Sequence, residues 1–156
     1  MSHATEFVVR PARVADREIV CAIRAHVGWD QELVESWFHD VARGSRFMWL
    51  AQVGAEVAGM VALDLVDRHD PDVADGHSRA AVTSLAVLPP FLRRGLGRFL
   101  TQHVEKEARS RGVTWITLFT DPANSAAIRL YESLGYVEYK KHQRPWGMAV
   151  HMHKRL

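Results

Sequence analysis

Ser84-Leu-Ala-Val-Leu-Pro-Pro-Phe-Leu-Arg-Arg-Gly-Leu-Gly-Arg98 reads as strand, loop and helix start. The run from Ala81 to Val87 is short and mostly apolar, with β-branched Val82, Thr83 and Val87. Apolar residues on both faces suit a buried strand. Pro89 and Pro90 end it, because neither donates to a sheet ladder. Arg93, Arg94, Gly95 and Gly97 follow, and then a helical pattern begins. Glycines at a helix start allow backbone N–H groups to approach a ligand, and those groups favour an anion. Two arginines in the same turn add positive charge. The chemistry points to a diphosphate site, with an ordinary tight turn as the plainer alternative. It is not a P-loop, which needs Gly-Lys-Ser/Thr. It is not a dinucleotide fingerprint either, since no third glycine follows Gly97.

Outward from this stretch the chain alternates strand and helix signals. Thr5 to Arg10 is an expected strand closed by Pro11. Asp16 heads a helix carrying Ile19, Val20, Ile23 and Val27, ended by Gly28. Asp30 to Val41 is a second helix, carrying Leu33, Val34, Trp37, Phe38 and Val41. Phe47–Val53 and Val57–Val66 are strands around a turn at Gly54, with a local irregularity expected at Gly59. Asp67 to Ser78 is polar and reads as an exposed loop. From Leu96, Leu100, Val104 and Ala108 form one apolar stripe, and Glu105, Lys106, Arg109 and Arg111 fall towards the other side. Val113 to Thr120 is a strand. A turn at Asp121–Ser125 leads into a short helix capped by Asn124 or Ser125 and stopped by Gly135. Tyr136–Gln143 and Met148–Leu156 close the chain as paired strands. The order is that of a mixed α/β domain with helices covering a sheet.

Composition sets bounds on function. The 156 residues suit a single domain, residues 1–156. A net charge of +2 gives no case for nucleic acid. No apolar run is long enough for a membrane span, and no secretory leader is evident. The single cysteine, Cys21, sits among apolar helical positions and reads as packing. These features fit a cytoplasmic protein.

The second half carries a longer pattern: Asn124-Ser-Ala-Ala-Ile-Arg-Leu-Tyr-Glu-Ser-Leu-Gly-Tyr136. It resembles the segment Asn-x-x-Ala-x-x-Leu-Tyr-x-x-x-Gly-Phe/Tyr of the GNAT superfamily of N-acetyltransferases. Asn124, Ala127, Leu130, Tyr131, Gly135 and Tyr136 fall on it. The glycine loop resembles the same superfamily's Gln/Arg-x-x-Gly-x-Gly/Ala, although Leu92 stands at its first position. Both motifs occur in the family's order and spacing, and the order of elements agrees over nearly the whole chain. The resemblance implies a mostly antiparallel sheet splayed at its central strands and flanked by helices. It also implies an acetyl-CoA-dependent enzyme acetylating a primary amine in a ternary complex. The implied acceptor amine is that of a small molecule, a lysine side chain or a protein N-terminus.

The site residues are carried over from the same resemblance. Leu85 and Val87 would offer backbone groups to the pantetheine arm, with the N–H near Leu85 as oxyanion donor. The amides from Arg93 through Arg94, Gly95, Leu96 and Gly97 to Arg98 would hold the diphosphate. Asn124 would reach the pantetheine, and Tyr131 would act as general acid at the sulfur. For the general base, Asp64 is the leading candidate, with Asp67, the less well placed Glu56, or a water as alternatives. The acidic loop from Asp67 to Asp75 favours a cationic acceptor or simply solvates the surface. Its histidines and aspartates match no metal-ligand spacing, and His151 and His153 share one strand face that reads as surface. Trp29 and Trp37 line an acceptor cleft or pack in the core. A homodimer is left open. A non-catalytic module that binds CoA as a sensor or interaction domain is the alternative function class.

Overall fold

A computed structural model describes residues 7–26 and 33–156. Thr5, Val27, Gly28, Trp29 and Asp30, named above, lie outside the described residues. The strands are β1 (Val8–Pro11), β2 (Arg46–Val53), β3 (Glu56–Asp64), β4 (Arg79–Val87), β5 (Trp115–Thr120), β6 (Val137–Arg144) and β7 (Gly147–Arg155). The helices are α1 (Arg17–His26), α2 (Val34–Arg43), α3 (Leu96–Ser110) and α4 (Ser125–Ser133). The seven strands order as β1-β2-β3-β4-β5-β7-β6 in an open, mostly antiparallel sheet flanked by helices. The pair β4–β5 is parallel, and its ladder runs only from Arg79↔Trp115 to Ala81↔Thr117. Both strands continue past that point, so the pairing is interrupted at the centre of the sheet, as the splayed arrangement requires.

Backbone packing divides the chain into two compact units. The first comprises Met1–Leu63 and Ser84–Val104; the second comprises Asp64–Thr83 and Glu105–Leu156.

In the first unit, β1 pairs antiparallel with β2 from Val8↔Gln52 to Pro11↔Trp49. Residues of β2 alternate between faces, as a pleated strand must. Met48 and Leu50 join Val20 and Ile23 of α1 and Val34 and Phe38 of α2 in one apolar cluster. Cys21 packs against that cluster, as expected. Trp49 points the other way and meets His103 of α3 edge-on at 5.0 Å. Each fully buried aliphatic side chain here contributes about 1.5–3 kcal/mol. Asp16 closes the entry to α1: its carboxylate accepts the Arg13 N–H at 2.8 Å and the N–H groups of Arg10 Nη1 and Nη2.

In the second unit, β5 pairs antiparallel with β7, and β7 with β6. A register shift between Glu138 and Lys140 leaves Tyr139 as an extra residue. The polar loop ahead of β4 lies across one face of this sheet. Val73 and Ala74 pack with Ala81 and Phe119, and the Thr117 hydroxyl donates to the Val73 carbonyl at 2.6 Å. Asp75 builds the loop's final turn, accepting from the amides of His77, Ser78 and Arg79 and from the Ser78 hydroxyl. Burial acts to raise its pKa, but these hydrogen bonds outweigh it and hold the carboxyl well below the usual range.

Candidate active site

In the first unit, the site is built from the kinked end of β4 and the start of α3. Ser84 has φ 54, a left-handed conformation that a strand residue rarely adopts. Its hydroxyl accepts from the Arg46 guanidinium at 2.8 Å. Arg46 is buried and lies over the Trp37 ring at 4.4 Å; Arg24 also lies over that ring, at 4.2 Å. Trp37 therefore packs between α1 and β2 as a platform for buried arginines. The kink directly precedes Leu85 and Val87, both half-buried. Gly59 of the continuous strand β3 lies opposite them. A Cβ at that position would stand 2.5 Å from the Ala86 carbonyl oxygen, so only glycine lets the backbones approach this closely.

Pro89 and Pro90 do more than end the strand: Pro89–Phe91 form a 3-10 turn that buries the Phe91 ring. The chain then emerges, and every residue from Leu92 to Gly95 is exposed. Arg93 (φ 63) and Gly95 (φ 79) are both left-handed. Alternation of this kind turns successive backbone N–H groups towards one concavity. Among the described residues, no heavy atom outside the adjoining backbone lies within 4 Å of a Cβ built on Gly95. The first backbone bond of the helix is from the Phe99 N–H to the Gly95 carbonyl. The amides before it are the donors that a helix start leaves without intrahelical partners. Leu96, buried beneath them, anchors the turn. The loop is thus a positive, open backbone cradle flanked by the exposed side chains of Arg93, Arg94 and Arg98. Leu92, at the first position of the family pattern, is 53% exposed.

In the second unit, Asn124 caps α4, its side-chain oxygen accepting the Ala127 N–H at 3.2 Å. The side-chain amide of this exposed residue keeps its two donors. Tyr131 lies near the end of α4 and is buried, its ring edge-on to Tyr136 at 6.0 Å. Burial pushes its phenol up to about 12, so the group holds its proton across the neutral range. Gly135, at φ 96, ends the helix, and Tyr136 then turns inward. The Tyr136 hydroxyl donates to Glu105 at 2.9 Å, and Lys154 pairs with the same carboxylate oxygen at 3.0 Å. Glu105 therefore lies inside the unit, contrary to its expected place on the solvent side of α3. A buried carboxylate is tolerable there because a cation and a phenol both serve it.

Two of the three expected carboxylate bases, Asp64 and Asp67, are engaged. Asp64, at the end of β3, accepts the Thr83 hydroxyl at 2.8 Å. One Asp67 oxygen accepts the amides of His69 and Asp70, and the other lies 4.0 Å from Arg144. Glu56 is exposed at the β2–β3 turn. Asp70 is held low despite burial by Lys140, which bonds both its oxygens. His151, read as a surface residue, is wholly buried. Ser84, Arg46, Glu105 and Arg144 also escaped the sequence reading. Glu105 left no usable signal, because Tyr136 and Lys154, which bury it, come from distant parts of the chain.

Comparison with known proteins agrees with this geometry. The profile of the Acetyltransferase (GNAT) family matches residues 14–136. Over 59 residues the chain is 49% identical to the [Ribosomal protein bS18]-alanine N-acetyltransferase of Salmonella typhimurium, covering 38% of this chain and 40% of that protein. Over 130 residues it is 35% identical to the mycothiol acetyltransferase of Thermobispora bispora, covering 80% of this chain and 44% of that protein. The chain thus spans less than half the length of these curated relatives. An acetyltransferase of Salmonella typhimurium, solved with its cofactor acetyl-CoA, superposes with a TM-score of 0.78 at 20% identity, covering 97% of this chain and 94% of that one. A glycine cradle ahead of α3, a buried tyrosine on α4 and a family profile that spans both lead to one conclusion: the chain belongs to the GNAT acetyltransferase family.

Proposed function

We propose that the chain transfers an acetyl group from acetyl-CoA to a primary amine, which attacks the thioester directly in a ternary complex. The observation that carries this reading is the open cradle at residues 93–98, together with a tyrosine held protonated on α4. The cradle fits a diphosphate: its amides are unused within the helix, its left-handed residues are exposed, and three arginines border it. The backbone of Leu85 and Val87, released by the Ser84 kink, would run beside the pantetheine, with the N–H near Leu85 donating to the carbonyl oxygen as it gains charge. The Asn124 amide donors are available to the same arm once its oxygen has capped α4.

Acetyl-CoA supplies the thioester; the remaining requirements fall to the protein. Tyr131 holds the proton that the departing thiolate needs, and its raised pKa keeps that proton in place until demand arises. The amine must lose a proton to attack. Asp64 is the proposed acceptor of that proton, with Thr83 holding its carboxylate in position. The relatives are a [Ribosomal protein bS18]-alanine N-acetyltransferase and a mycothiol acetyltransferase, and the acceptor proposed for this chain is a primary amine. The test is to incubate the protein and acetyl-CoA with diamines, amino acids and short peptides, and to identify acetylated products by mass spectrometry. An amine gaining one acetyl group only when protein is present supports transfer. Acetyl-CoA binding with no product from any amine favours a CoA-binding module instead.

A further inference from the structure

On one face of the second unit's sheet, a buried histidine and a half-buried arginine carry ring and guanidinium nitrogens with no hydrogen-bond partner among the described residues. His151 of β7 lies opposite Phe119 of β5 and Lys140 of β6. Its ring stacks on Phe119 with centroids 5.2 Å apart, and the rings of Tyr139 and His142 meet it edge-on at 6.1 and 6.0 Å. It is 0% exposed, and neither ring nitrogen has a hydrogen-bond partner among the described residues. A neutral imidazole offers one donor and one acceptor, and burial with both unused is rare. Arg144, the last residue of β6, lays its guanidinium over the same Phe119 ring at 4.1 Å. Its Nε and Nη2 are also buried without a hydrogen bond among the described residues.

The charges nearby do not complete these groups. Asp67 stands 4.0 Å from Arg144, beyond hydrogen-bond range, and its other oxygen is held by its own loop. Asp70 is matched by Lys140 at 2.8 Å, and Asp72 faces the same lysine at 3.6 Å. His142 is exposed beside them. What remains is one loosely compensated guanidinium beside one unpartnered imidazole, both fixed against Phe119.

We propose that Arg144 and His151 form a subsite for a carboxylate, with Phe119 as its floor. Two adjacent N–H edges of a guanidinium match the two oxygens of a carboxylate, and an imidazole N–H adds a third donor. A water or neutral amide would satisfy hydrogen bonds but not the charge. Burial, reinforced by Arg144 and Lys140 and opposed by Asp70, pushes His151 down to about 4, so at neutral pH it is a neutral donor. The Arg144 side chain retains 19% exposure, which opens the guanidinium to the surface beside Asp67. Asp67 is the anion that an incoming carboxylate displaces. The carboxylate belongs either to the amine acceptor or to a free small acid; only the first assignment rests on the acetyltransferase reading.

The test is NMR of the whole chain, following the His151 ring and the Arg144 side-chain N–H. Sodium acetate is titrated at constant ionic strength, with acetamide as the neutral control and amino acids compared with their amides. Saturable shifts with acetate but not acetamide are expected. Arg144→Gln should weaken binding roughly ten-fold or more, Arg144→Lys should weaken it less, and Asp67→Asn should tighten it severalfold. Should Arg144→Gln fail to fold, the other two variants carry the comparison. Amino acids binding more tightly than acetate and than their amides assign the carboxylate to an acceptor; acetate binding as tightly assigns it to a free acid. Equal shifts with acetamide, or no saturable shift with any carboxylate, overturn the proposal. No acetyl-CoA is present, so this result stands apart from the success or failure of acetyl transfer.

Discussion

Tyr131 carries the sharpest prediction at the scale of single residues. Its hydroxyl is a donor at neutral pH, as any phenol is, and burial disfavours the phenolate further. Tyr131→Phe preserves the ring and its contact with Tyr136 while removing the donor. Turnover should fall roughly ten- to a thousand-fold, with acetyl-CoA affinity unchanged by calorimetry. Full turnover in single-turnover kinetics would reduce Tyr131 to a core residue. His151 predicts a pH effect of definite sign. The unfolded chain takes up a proton on this residue near the ordinary histidine value, whereas the folded protein resists until about 4. Its stabilising contribution is therefore complete above the unfolded value and is lost as pH falls towards 4. The loss is on the order of 2–3 kcal/mol. Urea titrations at several pH values should show that His151→Phe lacks this component; equal slopes for parent and variant would refute it. Tyr136→Phe removes a buried hydrogen bond to a charged group, and a loss of about 1–3 kcal/mol in the same titrations is expected.

Among the elements, the β4–α3 junction joins strand geometry to ligand chemistry. Gly95→Asp and Gly97→Asp each place an anion beside the cradle, and at Gly95 an added Cβ also meets a left-handed backbone. Both should weaken acetyl-CoA binding; unchanged affinity in two folded variants would remove the loop from the site. Replacing Arg93, Arg94 and Arg98 together by alanine should raise the acetyl-CoA Michaelis constant more than it lowers turnover, most clearly at low salt. Asn124→Ala tests a residue with two duties: the lost cap should destabilise by about 1 kcal/mol, and any pantetheine contact appears separately in acetyl-CoA affinity. These elements were readable because their signals are local. Apolar stripes, prolines and glycines placed most strands and helices within a few residues. The kink at Ser84 was not readable, since its hydroxyl partner Arg46 lies far away in the chain.

For the molecule as a whole, the fold class and family were legible because two motifs recur at fixed spacing and the order of elements constrains the sheet. The inside of the second unit was not. Glu105 is buried because Tyr136 and Lys154, from later strands, converge on it. His151 is buried because the acidic loop and the β6–β7 hairpin are tied together by Lys140 and Asp70. Burial decided by such distant partners leaves no periodic trace. No helix among the described residues is long and apolar enough to cross a membrane. The central claim is direct attack by an amine on bound acetyl-CoA, and release of CoA thiol with and without amine tests it most directly. The protein at a concentration comparable with acetyl-CoA should release no thiol alone, and should release it at a rate that saturates with both substrates once a productive amine is added. A stoichiometric burst of thiol without amine would reveal an acylated protein, and no release with any amine would deny transfer altogether; either result contradicts the account.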